Sequence, residues 1–229
     1  VTLPLLLSVP HAGVRVPDEV SGYCVLTRAQ IIEDGDEGAA EIYHFPDVVA
    51  QFVTTDIARA IVDVNRAEDD RRADGVVKTH TCWDVPVYEP FPPDDMVEQL
   101  LARYYRPYHE RLTASSVGEV RLGVDCHTMA SIGPPIGPGP GAERPAVCLS
   151  NADGACPADW IESMARCFER AFEREVAIND PFRGGYIIRA HARELPWLQV
   201  ELSRAPFLSN IEKRERVIAA LGEWCAAIQ

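Results

Sequence analysis

The sequence predicts an α/β protein, a β-sheet covered by helices, and three observations carry that prediction. Apolar runs of strand length alternate with longer segments of helical period. Gly, Pro and acidic clusters punctuate the chain between them. Three of the strand-like runs end in, or contain, side chains able to hold a metal ion, and in an α/β sheet ligands gather at the carboxyl ends of strands.

The first run is Leu3-Pro4-Leu5-Leu6-Leu7-Ser8-Val9, which breaks at Pro10 and then presents His11, Ala12 and Gly13. Residues 37–45 have helical character and follow the acidic Glu33-Asp34-Gly35-Asp36, whose carboxylates suit a helix N-terminus. Two β-rich runs come next, over residues 48–54 and 57–64. Residues 66–93, rich in charge and proline, show no sustained period and read as a long surface excursion placed to act as a lid. From Asp94, the residues Val97, Leu100, Leu101, Tyr104 and Tyr108 recur at helical spacing, which predicts an amphipathic helix to about Ala114. Val120-Arg121-Leu122-Gly123-Val124 is a strand leading into Asp125-Cys126-His127-Thr128; the period of two puts Asp125 and His127 on one face and Cys126 on the other. Cys126 is therefore a poor co-ligand for His127. A Gly-Pro loop over residues 132–145, a short strand over 146–150 and a helix over 158–176 follow. The third run, Leu198-Gln199-Val200-Glu201-Leu202, buries a carboxylate in an apolar strand, and a helix over residues 209–227 ends the chain.

Composition bounds the function. The chain has 229 residues, of which 47% are hydrophobic and 25% charged, enough to bury a core as one domain over residues 1–229. A formal net charge of −13 argues against a nucleic-acid groove or an anionic membrane surface, since both select clustered Lys and Arg. No apolar stretch reaches the length of a membrane span, and the N-terminal run lacks the basic flank of a signal peptide. Seven cysteines at scattered spacings, with no CxxC pair, fit reduced thiols, so the expectation is a cytoplasmic protein. No Gly-x-Ser-x-Gly elbow points to a serine nucleophile.

A lone histidine at a strand end is more often a hydrogen-bonded structural residue than a ligand. Histidines at two separate strand ends, His11 and His127, together with Asp36 at a loop-to-helix junction and Glu201 in a strand, supply the two nitrogens and an oxygen that a catalytic zinc uses. Spacing alone leaves that centre and a structural cluster equally open. Glu201 needs compensation, because an ionised group in an apolar strand is costly. If residues 57–64 are a strand, Arg59, Asp63 and Asn65 share a face, and an arginine beside an asparagine suits a substrate carboxylate. A surface ion pair of this cluster with Glu68 or Asp69 is the competing reading. Gly184-Gly185-Tyr186 leads into residues 187–191, where Arg189 and His191 would share a face if the segment is extended. His44 and His109, on expected helices, read as packing residues.

Taken together, Ser8-Val9-Pro10-His11-Ala12-Gly13 with Pro17, Asp34-Gly35-Asp36, Asp63-Val64-Asn65-Arg66, Asp125-Cys126-His127-Thr128, Gly184-Gly185-Tyr186-Ile187-Ile188-Arg189 and Gln199-Val200-Glu201-Leu202 resemble, in content and order, the N-formylglutamate amidohydrolase family. The resemblance spans nearly the whole chain. It implies a mixed central β-sheet of about eight strands flanked by helices on both faces, zinc carboxypeptidase-like (phosphorylase/hydrolase-like), with the metal above strand ends. It implies further that His11, Asp36 and His127 hold one Zn2+ per chain and that Glu201 is the catalytic carboxylate. Arg59 is similar in placement to an arginine that polarises the scissile carbonyl, and Asn65-Arg66 to a pair that grips a substrate carboxylate. Arg189 and His191 are further substrate-binding candidates. The implied activity is cleavage of a small acidic N-acyl amino acid such as N-formyl-L-glutamate, a step of histidine degradation; a related metallohydrolase of another N-acyl amino acid or small peptide, or a catalytically silent carboxylate-binding protein, are the alternatives. Glu37-Gly38 stand where typical members carry tryptophan and histidine, which bears on acyl specificity.

Overall fold

Strands form where apolar residues run without interruption, because both faces of a parallel sheet are covered. The structure, a computed structural model, describes residues 2–228. Its strands are β1 (Leu3–Val9), β2 (Val49–Thr54), β3 (Leu122–Met129), β4 (Val147–Ser150), β5 (Val176–Ile178) and β6 (Trp197–Ser203). They form one sheet in the order β2-β1-β3-β6-β4-β5. Contacts β1–β2, β1–β3, β3–β6 and β4–β5 are parallel, whereas β4 runs antiparallel to β6. The sheet is thus mixed, as expected, but has six strands among the described residues where the resemblance implies about eight.

Among the described residues, eight α-helices surround it: α1 (Asp18–Ser21), α2 (Arg28–Asp34), α3 (Ala39–Tyr43), α4 (Asp94–Leu100), α5 (Arg106–Ser115), α6 (Ala158–Phe172), α7 (Tyr186–Ala190) and α8 (Asn210–Ala227). A π-helical turn, Leu101–Tyr105, joins α4 to α5, so the single helix expected from Asp94 is continuous but widened in its middle. α8 starts where Ser209 and Glu212 form a reciprocal capping box, and α2 starts on the same device at Thr27 and Gln30.

Side-chain alternation splits the core in two. Leu5, Leu7 and Val9 of β1, Leu122, Val124 and Cys126 of β3, and Leu198, Val200 and Leu202 of β6 pack with α3, α6 and α8. The opposite face carries Leu6 and Trp197, which pack with residues of α4, α5 and α7. On that second face, the polar residues Ser8, Asp125, His127, Gln199 and Glu201 line up at the carboxyl half of the strands, because their positions alternate with the apolar set. Trp197 fits over β3 only because residue 123 is glycine: a Cβ there would lie 2.2 Å from the indole.

Several expectations change. Residues 57–64 are not a strand; they form turns with isolated bridges Gly13–Ala58 and Arg15–Ile57, and Arg59 turns back onto Asp63 four residues later. The acidic 33–36 segment does not cap a helix through its side chains, since Asp34 closes α2 and Asp36 is used elsewhere. The 66–93 excursion does not run wholly over the surface: Val76, Val77, Lys78 and Val87 are buried within it. The helix expected to reach 176 stops at Phe172, where Glu173 adopts a left-handed φ of 53° and releases the chain into β5. No helix is long and apolar enough to cross a membrane among the described residues, and all seven cysteines are free.

Candidate metal centre and active site

Three elements bring the centre together. His11 lies just beyond β1, and its carbonyl accepts the Asp36 N–H at 3.2 Å, which clips the α2–α3 junction onto the end of that strand. His127 lies in the carboxyl half of β3, in register with Glu201 of β6. The Asp36 carboxylate then stands between the imidazoles: Oδ2 is 2.9 Å from His127 Nδ1 and Oδ1 is 3.5 Å from His11 Nδ1. One ligand atom from each of the three residues lies within 4.8 Å of the others, and all three side chains are buried.

The far side of each imidazole is braced. His11 Nε2 is 2.8 Å from Asp63 Oδ1, and His127 Nε2 is 2.8 Å from Asp125 Oδ2. A carboxylate at Nε2 fixes the plane of each ring and turns Nδ1 towards Asp36, the orientation in which a metal-holding histidine would keep its ring proton on the far side. His11 Nδ1 is buried and has no hydrogen-bond partner. A donor atom left over in a dry, acid-rich cluster fits a divalent cation, so the residues present match the metal that the donor set implies.

Charge in the cluster is balanced locally. Burial works against the Asp36 carboxylate, yet His11 and His127 hold it well below the usual carboxylate range. Burial also opposes a charged His127, and Asp125 and Asp36 overcome it, raising the imidazole well above its ordinary value. Glu201 behaves differently. Burial raises its pKa against the pull of His127, and Gln199 Nε2 donates to its Oε1 at 2.8 Å. It is the basic carboxylate of the site, beside the imidazoles and only 6% exposed.

Behind the centre lies a buried network that sequence reasoning missed. Lys78, fully buried, donates to Asp34 Oδ2 at 2.9 Å and sits 3.7 Å from Asp63. Arg59 donates through Nε to Asp63 at 3.0 Å, and its Nη1 reaches within 3.8 Å of Asp36. Asp63 thereby braces His11; burial works against its carboxylate, yet His11, then Arg59 and Arg66, hold it well below the ordinary range. The signal for Lys78 was faint, a lysine after Val76-Val77 in a stretch without period.

A cavity of about 250 Å3 opens over the centre. His11, Asp36, His127, Glu201, Arg59, Asn65 and Arg66 all line it. Asn65 is tightly held: its Oδ1 accepts the Ile187 N–H at 2.8 Å, its Nδ2 donates to Asp125 at 3.2 Å, and a Cβ on Gly185 would strike the amide at 2.3 Å. Arg66 donates to the Asp74 carbonyl and carboxylate at 2.9 and 3.1 Å, leaving Nη1 with only a 3.5 Å contact to the Asn65 carbonyl. Trp83 adds an aromatic wall, its Nε1 donating to the Glu33 carbonyl at 3.3 Å.

Arg189 and His191 do not line it. Residues 186–190 are helical, not extended, so the two side chains point apart. Arg189 is exposed and donates to the carbonyls of Arg183 and Gly184 at 3.0 and 3.2 Å. His191 is buried, 2.9 Å from His109 Nδ1 and 2.8 Å from Glu194. His109 in turn reaches the Val64 carbonyl, and burial followed by the neighbouring His191 pushes its pKa down to about 4.

Two imidazoles sharing one carboxylate, near a buried glutamate at the carboxyl half of the strands of a mixed α/β sheet, form a group able to hold a metal ion. The chain belongs to the N-formylglutamate amidohydrolase family, whose model matches residues 3–208, and is a hydrolase acting on an amide. It is 27% identical over 228 residues to an N-formylglutamate deformylase of Pseudomonas putida, covering 92% of this chain and 84% of that one. A Pseudomonas aeruginosa N-formylglutamate deformylase is 25% identical, with 91% and 83% covered. The fold is shared with the crystal structure of an N-formylglutamate amidohydrolase from Ralstonia eutropha JMP134, with a TM-score of 0.77, 22% identity and 99% and 93% of the chains covered. A gene product of Agrobacterium tumefaciens has the same fold at a TM-score of 0.77 and 15% identity, covering 99% and 91%.

Proposed function

We propose that this chain hydrolyses N-formyl-L-glutamate to formate and L-glutamate, with His11, Asp36 and His127 holding one Zn2+ and Glu201 as general base. The observation that carries the reading is the buried Glu201 carboxylate, in register with His127 and lining the same cavity as His11, whose Nδ1 is orphaned. A bound zinc ion supplies Lewis acidity there, lowering the pKa of a water from about 15.7 towards about 7 and polarising a carbonyl.

The chain's own groups carry the protons. Glu201, made more basic by burial, takes a proton from the attacking water as oxygen bonds to the formyl carbon. The same carboxyl then hands that proton to the departing nitrogen, so that a neutral amine leaves instead of an amide anion. Gln199, donating to Oε1, leaves Oε2 as the oxygen for the transfer. Arg59, close to Asp36, is the donor assigned to the developing oxyanion. Asn65 and Arg66 take the α-carboxylate, Arg66 through its weakly engaged Nη1. Arg189 and His191 act through others: Arg189 fixes the 183–184 backbone at the cavity wall, and His191 supports His109 beneath Val64. Free thiols and the absence of a spanning helix among the described residues are consistent with work in the cytoplasm.

The test is Glu201→Gln. It is expected to keep close to one zinc per chain by elemental analysis and to lose about 10²- to 10⁴-fold in kcat for N-formyl-L-glutamate. Near-normal turnover by the metal-loaded variant removes Glu201 as the base.

A further inference from the structure

The cavity wall carries six cations, and they differ in what already holds them. Lys78 is paired with Asp34, Arg59 with Asp63, and Arg66 with Asp74. Arg204 donates to the carbonyls of Glu33, Gly35 and Thr128 and lies 3.9 Å from Asp36. Arg183 is exposed at the rim. Arg144, on the Gly-Pro loop, is different again: it faces no carboxylate within ion-pair distance among the described residues. It makes a single donation, from Nη2 to the Pro138 carbonyl at 3.2 Å, and its guanidinium lies 4.8 Å from the Phe182 ring centroid.

Its Nε is buried with no hydrogen-bond partner. Burial lowers its pKa from the ordinary guanidinium value against the pull of Glu201, which is the behaviour of a desolvated cation without a counter-ion of its own. Stacking on Phe182 fixes the plane of the guanidinium and so pre-orients its donors. An anchored, half-buried guanidinium with spare donors over a reaction centre is suited to a carboxylate brought by the ligand.

We propose that Arg144 is a specificity-determining residue that receives the side-chain carboxylate of the acyl amino acid, while Asn65 and Arg66 take the α-carboxylate. This rests on the reading of the site given above. It accounts for how an acidic chain admits a doubly anionic substrate: the second negative charge meets the one inner-wall cation that no protein carboxylate neutralises.

The test compares N-formyl-L-glutamate with N-formyl-L-glutamine, which differ only in that carboxylate, for the zinc-loaded wild type, Arg144→Met and Arg144→Lys. Arg144→Met is expected to raise KM for the glutamate compound ~10- to 100-fold, the loss of one charge-assisted contact, and to move KM for the glutamine compound less than ~3-fold. Arg144→Lys recovers part of the difference. Equal changes for both compounds, or an unchanged KM for the glutamate compound, overturn the proposal. Calorimetric titration of L-glutamate against L-glutamine separates it from the assigned reaction. If wild type cleaves neither compound, the reaction is wrong, and Arg144 still stands if wild type binds L-glutamate more tightly than L-glutamine and Arg144→Met abolishes that preference. No preference in wild type sinks it.

Discussion

At the scale of single residues, the centre depends on carboxylates outside the His11, Asp36 and His127 group. Asp63 and Asp125 each hold the Nε2 side of an imidazole, and Asp63 is itself held by Arg59 and Lys78. Lys78 is the keystone of that inner set because it is fully buried and serves two aspartates. Removing one partner of a buried ion pair leaves an uncompensated charge, so Lys78→Met is expected to cost about 3–5 kcal/mol of stability. Urea unfolding of the metal-free protein measures it, and a loss below about 1 kcal/mol contradicts the role. That His11, Asp36 and His127 come together was legible in part: strand ends marked the two histidines and a buried carboxylate marked Glu201 as needing compensation, whereas Asp36, at a loop-to-helix junction, was joined to them chiefly by the family resemblance. Lys78 and Arg144 were not legible, since both come from segments without period, and only the fold tells where such segments land.

At the scale of elements, the close approach of β3 and β6 sets the site's geometry. Their register puts His127 opposite Glu201 and Asp125 opposite Gln199, and a slip of either strand by one residue would send its own pair to the other face. Gly123 allows this approach by making room for Trp197. Gly123→Ala forces a methyl group into the indole, an overpacking expected to cost at least ~1–3 kcal/mol. The comparison of its thermal midpoint with wild type, alongside a near-ultraviolet spectrum reporting Trp197, tests it. The three strands bearing the site, the 94–115 helix and the C-terminal helix were all readable, because apolar runs and 3.6-residue stripes are strong signals. Residues 57–64 misled: alternating polarity looked like a strand, but the polar side chains there answer Asp36, Asp63 and Asp34 in a turn instead of a sheet face. The glycine-led segment before α7 misled in the same way, its backbone spent on Asn65 and Gln199.

At the scale of the whole molecule, one centre joins parts distant in the chain: the end of β1, the α2–α3 junction and β3. An ion bound by all three is bound only by the folded state, so it adds to stability by mass action. Zinc at ~100 times its Kd is expected to add about 2.7 kcal/mol, or roughly 5–10 °C in Tm for a chain of this size. His11→Ala and His127→Ala should lose both the bound zinc and that increment in calorimetric scans. An equal increment in both variants would remove them as ligands.

Trp83 stands in the wall of the cavity, whereas Trp197 and Trp224 are sealed in the two cores and Trp160 packs on Trp224. One indole of four is therefore positioned to sense what enters. Selective excitation near 295 nm, with Trp83→Phe as the blank, is expected to follow L-glutamate occupancy as a change in emission that the blank lacks. An intrinsic optical reporter of this kind frees affinity measurement from turnover, from added dyes and from any label that could block the entrance.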